Sequence, residues 1–338
     1  MTSTTADPVV SAAYENLLAR DRFTISNGYT ALQSIVCFGA YVALAWASLR
    51  LDHLAAWLVI WPLQSFLLAG FLGASHDCAH RVHYTHPLAN RLAGMFWATV
   101  TSVNFTLYKH FHLDHHQFVG TDDDTEPAGE FDSLRSYLSS LPTIHFFMTF
   151  WKMSVSAVRG RFPHFIRNAG QRREVLLDDA ALVVWLVVVV ASTVIWPRQT
   201  LVVYLVPLVL FFPMVFIFSL PEHYGCDHST DWRRNTRTIT SNPITSYFYW
   251  NGNYHADHHV FPRIPSRYLP DAHKLLDGVF SFSGRSYAAF HFGLIRRLSS
   301  PSATAPLETG VQKVLSPSER IHFKELLASE GHGKEVSE

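Results

Sequence analysis

Four apolar runs restrict this 338-residue chain more than any other feature. Residues 29–49, 54–75, 180–196 and 200–220 each approach the roughly 20 helical residues that cross about 30 Å of hydrocarbon. Inside a bilayer every backbone polar group must be satisfied within the segment, so these runs are read as helices. The third holds VVWLVVVV at 183–190, and the second carries Pro62 and several glycines, which predict a kink. The linkers 50–53 and 197–199 are too short for anything except a direct return. The expected fold is therefore an all-α integral membrane protein with four transmembrane helices arranged as two hairpins.

Charge placement orients the hairpins. Of 27 Lys and Arg residues, 25 fall outside the two short linkers and hence on one face. By the positive-inside rule that face is cytoplasmic, with both termini on it. The long C-terminal stretch weighs less in such a comparison, and the ten basic residues between the hairpins decide it. The apolar but interrupted stretches 92–108 and 144–158 are read as amphipathic helices lying at the interface. Residues 1–28 form a polar cytoplasmic segment with no cleavable signal peptide, and 29–298 form the membrane domain. From 299 to 338 a Ser/Pro-rich and then charged tail is expected to be partly disordered, with a short helix near 319–327. Charged residues are only 16% of the chain, against roughly 25% in soluble domains. A net charge of zero gives no ground for a nucleic-acid partner. Three scattered cysteines exclude a disulfide framework or a thiolate metal site, and Cys37 reads as a small buried residue.

Histidines carry the chemistry. Twenty are present, and they clump as HDCAH at 76–80, HLDHH at 112–116 and HADHH at 255–259. Helical positions i, i+3 and i+4 share a face, so each cluster is expected to aim two or three imidazoles at one point: His76 and His80; His112, His115 and His116; His255, His258 and His259. With His223 beyond the fourth run, the count exceeds a single zinc site, which takes three or four protein ligands. More than one metal is implied, and imidazole alone does not name the ion. Asp77, Asp114 and Asp257 adjoin these histidines and are candidate outer carboxylates for the rings. Asn251, ahead of the third cluster, is a candidate for a water-mediated contact. His83 and His86 are expected at the surface or against substrate, and His110 as a hydrogen-bonded neighbour. His53, His145, His164, His291 and His322 are given no role in the site. The acidic run 122–126 reads as a solvated loop, and Arg233, Arg234 and Arg237 as loop cations facing lipid phosphates or expressing the charge bias.

The order HxxxH, HxxHH, HxxHH around two hairpins resembles the membrane fatty acid desaturase superfamily, which includes related hydroxylases and ketolases. NYHADHHVFPRIP at 253–265 and HDCAH at 76–80 lie close to its third and first boxes. The resemblance spans about residues 54–273. It implies a helical cytoplasmic cap over a di-metal site of two irons, with O2 as co-substrate and two electrons from a separate donor. It also implies His223, in PEHYG at 221–225, as a further ligand beside His76, His80, His112, His115, His116, His255, His258 and His259. Some relatives place a water-bridging asparagine four residues before that histidine, where this chain has Ser219. The third box commonly has Glu where Asp257 stands. No cytochrome b5 haem motif and no Cys-based iron–sulfur signature occurs, so the donor is expected to be external: a ferredoxin, or a cytochrome b5-like protein with its reductase. The implied reaction is desaturation of a fatty acyl chain. The alternative is hydroxylation or ketolation of an alkyl, carotenoid or other lipid-like metabolite. A histidine-rich metal transporter would need ionisable residues inside the spans, whereas the runs carry Gln, Ser, Thr and Tyr.

Overall fold

Helical hairpins account for most of the architecture of the computed structural model, which describes residues 7–127 and 129–300. Helix α1 (Pro8–Ala19) precedes the first hairpin, α2 (Asn27–Leu51) and α3 (Leu54–Ala79). Helices α4 (Pro87–Val100), α5 (Phe105–Phe118), α6 (Leu134–Ser140) and α7 (Ile144–Val158) follow. The second hairpin is α8 (Ala169–Ile195) and α9 (Pro197–Thr200), which continues through a π-helical turn at Leu201–Leu205 into α10 (Val206–His223). Short helices α11 (Pro243–Phe248), α12 (His255–Val260), α13 (Leu269–Leu276) and α14 (Tyr287–Ser299) complete the described chain. Two residues of β1 (Thr238–Ile239) pair in parallel with β2 (Ser283–Gly284).

The four long helices match the four apolar runs, and each is long and apolar enough to cross a membrane. Within its apolar window α3 is 44% buried, against 17% for α2 and 22% for α8. That makes α3 the inner helix, packed by α2, α4, α5 and α10. The outer helices expose Ile35, Val183, Val187 and Val194, and the first turns of α3 expose Leu58 and Val59. A continuous apolar surface of this extent is foreign to soluble monomers and suits hydrocarbon.

The turn between α9 and α10 shows how polar groups are managed inside this belt. Pro207 has no N–H to give the carbonyl of Val203 four residues earlier. That carbonyl instead accepts from Tyr41 Oη at 2.8 Å and Gln64 Nε2 at 3.2 Å. The indole of Trp61 donates to Val202 O at 2.9 Å, and Ser65 Oγ donates to Pro207 O at 2.9 Å. Side chains of the first hairpin thus bolt it to the second. Nearer the histidines α3 passes α11 so closely that a Cβ on Gly70 would overlap the Phe248 carbonyl.

Helix bounds depart from the expectation where charge is recruited into packing. Helix α8 begins at Ala169 rather than 180, started by a capping box of Asn168 and Gln171. Its early turns bury Asp178 and Asp179. Asp178 accepts from the Thr106 backbone N–H at 2.7 Å and hydroxyl at 2.6 Å, and it pairs with Arg91. Asn104 donates to Asp179 at 2.7 Å and caps α5 through Leu107 N–H. The start of α5 is thereby fixed to α8, and a carboxylate sits where the helix dipole favours one. The stretch 92–108, expected as one helix, is two, because the chain turns at Thr101 and Ser102 (φ 63°) before α5 begins. The helix expected near 319–327, with His322, lies outside the described residues.

Candidate metal centre

Three helix ends and one further histidine build the site. Helix α3 runs one turn past the apolar segment and delivers His76 near its end and His80 as its C-cap. Helix α5 presents His112, His115 and His116, and α12 presents His255, His258 and His259. His223 is the last residue of α10. All nine candidate histidines converge, in two groups. His76, His80, His112, His116 and His258 form one; His115, His223, His255 and His259 form the other, and the ring nitrogens within each group lie within 4.8 Å of one another.

Each HxxHH cluster is split between the groups, where the sequence reading aimed it at one point. The i,i+4 pair His112 and His116 serves the first group and His115 the second; the pair His255 and His259 serves the second and His258 the first. At 3.6 residues per turn, i and i+4 differ by about 40° around the axis, while i+3 and i+4 differ by about 100°. One helix can therefore feed two neighbouring points.

The nitrogens themselves test whether metal fits. His116 Nε2 lies 3.0 Å from both His112 Nε2 and His258 Nε2. His255 Nε2 lies 2.9 Å from both His223 Nε2 and His259 Nε2. The buried Nε2 atoms of His80 and His115 have no hydrogen-bond partner. Imidazole binds transition ions at about 2.0–2.1 Å, so two ligands at right angles sit about 3 Å apart and a tetrahedral pair about 3.4 Å. The observed spacings match the former. Burial holds His80, His116, His258, His255 and His259 well below the ordinary histidine range, with neighbouring imidazoles adding to the effect, and brings His112 down to about 4. These rings are neutral at physiological pH, the form that donates a lone pair to metal.

Outer partners are partly those anticipated. Asp77 Oδ1 lies 3.7 Å from His76 Nδ1, while its Oδ2 accepts from Ser266 at 2.6 Å. Asp114 turns away from the rings and meets His164 Nε2 at 2.9 Å. Asp257 accepts from Thr238 at 2.9 Å and bonds His273 Nδ1 at 3.0 Å. Asn251 sits in a left-handed turn (φ 52°) with its N–H on Ser246 O.

The acidic run is a correction. Asp124 bonds His115 Nδ1 at 2.6 Å, and Glu126 Oε2 lies 3.5 Å from His112 Nδ1. Burial opposes charge on His115, but the Asp124 hydrogen bond and the nearby Glu126 outweigh it and raise the ring above its ordinary value. Burial likewise pushes Glu126 up, and His112, His115 and His223 pull it down to about 2. Neither residue keeps a helical spacing to its partner, so only the DD-rich turn directly after the second cluster hints at them. Glu222 is a further partner without a sequence signal, 3.6 Å from His255 Nδ1. His83 is buried against Trp250 rather than at the surface, and Arg237 is buried rather than facing phosphates. His86 is exposed, and His110 is half-buried in neither group.

A cavity of about 590 Å3 leads to the rings, within the 300–1,000 Å3 typical of ligand pockets. Leu72, Phe146, Val215, Phe216 and Leu220 line its apolar part, and His76, His112, His223, His255 and His258 its polar end. No Lys or Arg lines it among the described residues.

A family model described as fatty acid desaturase matches residues 27–291. The chain is 25% identical over 281 residues to a chloroplastic omega-3 fatty acid desaturase of Glycine max, covering 75% of this chain and 61% of that protein. It is 24% identical over 272 residues to an endoplasmic reticulum acyl-lipid omega-3 desaturase (cytochrome b5) of Arabidopsis thaliana, covering 73% and 70%. A sphingolipid delta(4)-desaturase DES1-like protein of Oryza sativa subsp. japonica is 24% identical over 227 residues, covering 64% and 63%. The chain thus spans about three fifths to seven tenths of the length of these relatives. With four apolar helices and paired histidine groups under a match that runs over most of its length, this chain belongs to the fatty acid desaturase family.

Proposed function

We propose that this chain is a membrane-bound, O2-dependent di-iron desaturase that inserts a C=C bond into a fatty acyl chain. The observation that carries the reading is the meeting of nine imidazoles, in groups of five and four, with a largely apolar cavity. The relatives named as omega-3 and sphingolipid desaturases support an acyl substrate. Overall, –CH2–CH2– with O2, two electrons and two protons gives –CH=CH– and two waters. The nine histidines would hold iron, which when bound would supply activation of O2 for breaking an unactivated C–H bond, beyond the reach of any side chain alone.

The chain's own residues do the positioning. Leu72, Phe146 and Val215 contact methylenes and keep water from the rings. With no Lys or Arg among the described residues of the cavity wall and with the Glu126 carboxylate beside the rings, a carboxylate or phosphate headgroup stays outside while hydrocarbon enters. The Asp124 hydrogen bond places the His115 proton on Nδ1 and leaves Nε2 facing its group. The basic bias supports a centre and termini on the cytoplasmic face. The electrons come from an external ferredoxin or a cytochrome b5-like protein, an acidic carrier being attracted to that basic face.

Mass spectrometry of lipids from cells with and without the protein tests the reaction. Acyl chains two hydrogens lighter are expected. Products heavier by one oxygen would replace this reading with the hydroxylase or ketolase one.

A further inference from the structure

Arg237 is 1% exposed, and no carboxylate pairs with it among the described residues. Its partners are backbone carbonyls around His223. Its N–H donates to Glu222 O at 2.7 Å, and its Nη1 donates to Pro221 O and to Tyr224 O, the latter at 2.8 Å. The last carbonyls of a helix have no intrahelical partner, and α10 ends at His223. A cation there also meets the negative end of the helix dipole. The guanidinium is held from its other side by the rings of Phe290 and Phe282, whose centroids lie 5.1 and 5.5 Å away.

The strand beside it completes the arrangement. Two residues earlier, Asn235 O accepts from His223 Nδ1 at 2.9 Å. One residue later, the Thr238 hydroxyl donates to Asp257 and accepts the Ala256 N–H at 3.2 Å, at the start of α12. A four-residue segment thus joins the end of α10 to the helix that bears His255 and His259.

We propose that Arg237 is a positioning residue that presets His223, and through it the four-histidine group, for metal. The inference rests on the reading that this group binds a metal. A guanidinium suits the task because its Nη1 alone reaches both carbonyls while the rest of the planar group lies against two aromatic rings. An ammonium on a flexible stem keeps the charge and loses the planar group packed against Phe282 and Phe290.

The test counts metal rather than turnover. Wild type, Arg237→Met and Arg237→Lys are purified in detergent, loaded with iron and challenged with a chelator. Ile60→Ala is the control for general destabilisation: it empties a buried site in α3 sixteen residues, or about 24 Å of helix, from His76. Wild type is expected to hold about two irons per chain. Arg237→Met is expected to hold about one and to release the other about 10–100-fold faster, as for removal of outer partners of metal ligands. Arg237→Lys is expected to fall between, and Ile60→Ala to melt earlier with both metals retained. Two irons and wild-type release in Arg237→Met would overturn the inference. If that variant does not fold, Arg237→Lys decides, and wild-type release there overturns it equally. A wild type that holds no metal would instead sink the reading of the site itself.

Discussion

The two histidine groups are held in different ways. In the five-histidine group every ring comes from the clusters on α3, α5 and α12, and two i,i+4 pairs supply four of the five. Its Nδ1 contacts to carboxylates are long, 3.7 Å for His76 to Asp77 and 3.5 Å for His112 to Glu126. The four-histidine group has one such pair, and its other two members arrive singly from α5 and α10. Those two have close Nδ1 partners: His115 with Asp124 at 2.6 Å and His223 with Asn235 O at 2.9 Å. Where helix geometry already sets two rings side by side, outer hydrogen bonds are less needed. A ring that comes alone needs its own orienting partner.

Removing a ring should break this comparison most directly. His116→Ala leaves four nitrogens in its group, and His223→Ala leaves three in the other. Turnover is expected to fall by at least about 100-fold in both, above the effect of outer partners. Metal content separates them. His116→Ala should retain weakly held metal in the first group, whereas His223→Ala should lose the second metal outright. Equal retention in the two variants, read by elemental analysis after dialysis, would erase the distinction.

His83 sharpens the boundary of the first group, since it follows His80 by three residues yet joins neither group. Burial brings its ring down to about 4, only partly opposed by Asp77, and neither ring nitrogen has a hydrogen-bond partner. In the unfolded chain it takes up a proton near 6.5, in the folded chain near 4. Between those values the unfolded state binds more protons, so stability is full above about 6.5 and falls as the pH drops toward 4. At about 1.4 kcal/mol per unit the loss reaches about 3 kcal/mol. His83→Phe, which keeps a ring against Trp250, should lessen the slope by His83's share, leaving that of the other buried histidines, in denaturant melts of metal-free protein at pH 7 and 4.5. It should leave metal content at pH 7 unchanged; a parallel slope would mean that burial does not hold the ring neutral, and lost metal would move His83 into the site.

Much of this was legible in the residues. Hydropathy and length mark all four long helices, because the bilayer imposes one length and one composition. Helical spacing marks the three clusters, and the resemblance adds His223. What escaped depends on chain paths without a period. Asp124 reaches His115 through a turn after α5, Glu222 reaches His255 from the end of α10, and Arg237 returns to that end after an irregular segment. A polar residue in such a turn reads as solvated until the fold shows what lies over it. The early start of α8 escaped for a related reason: Asp178 and Asp179 look like a loop until Thr106, Arg91 and Asn104 supply their partners.

The smallest expected effect compares the two carboxylates of that acidic turn. Asp124 Oδ1 accepts from the Glu126 N–H at 2.8 Å as well as bonding His115, so it is fixed before metal arrives. Glu126 stands farther from His112. Asp124→Ala should weaken metal at the four-histidine group by about 10–100-fold, the usual cost of an outer partner. Asp124→Asn keeps an acceptor and loses the charge, and charge-assisted bonds are about twice as strong as neutral ones; its loss should be nearer the low end. Glu126→Gln should change the five-histidine group by only a few-fold, since helix α5 already places His112 beside His116. Competition titrations with a coloured chelator give both affinities. A Glu126→Gln effect as large as that of Asp124→Ala would mean that helical pairing does not substitute for an outer partner, and the contrast between the groups would have to rest on ligand number alone.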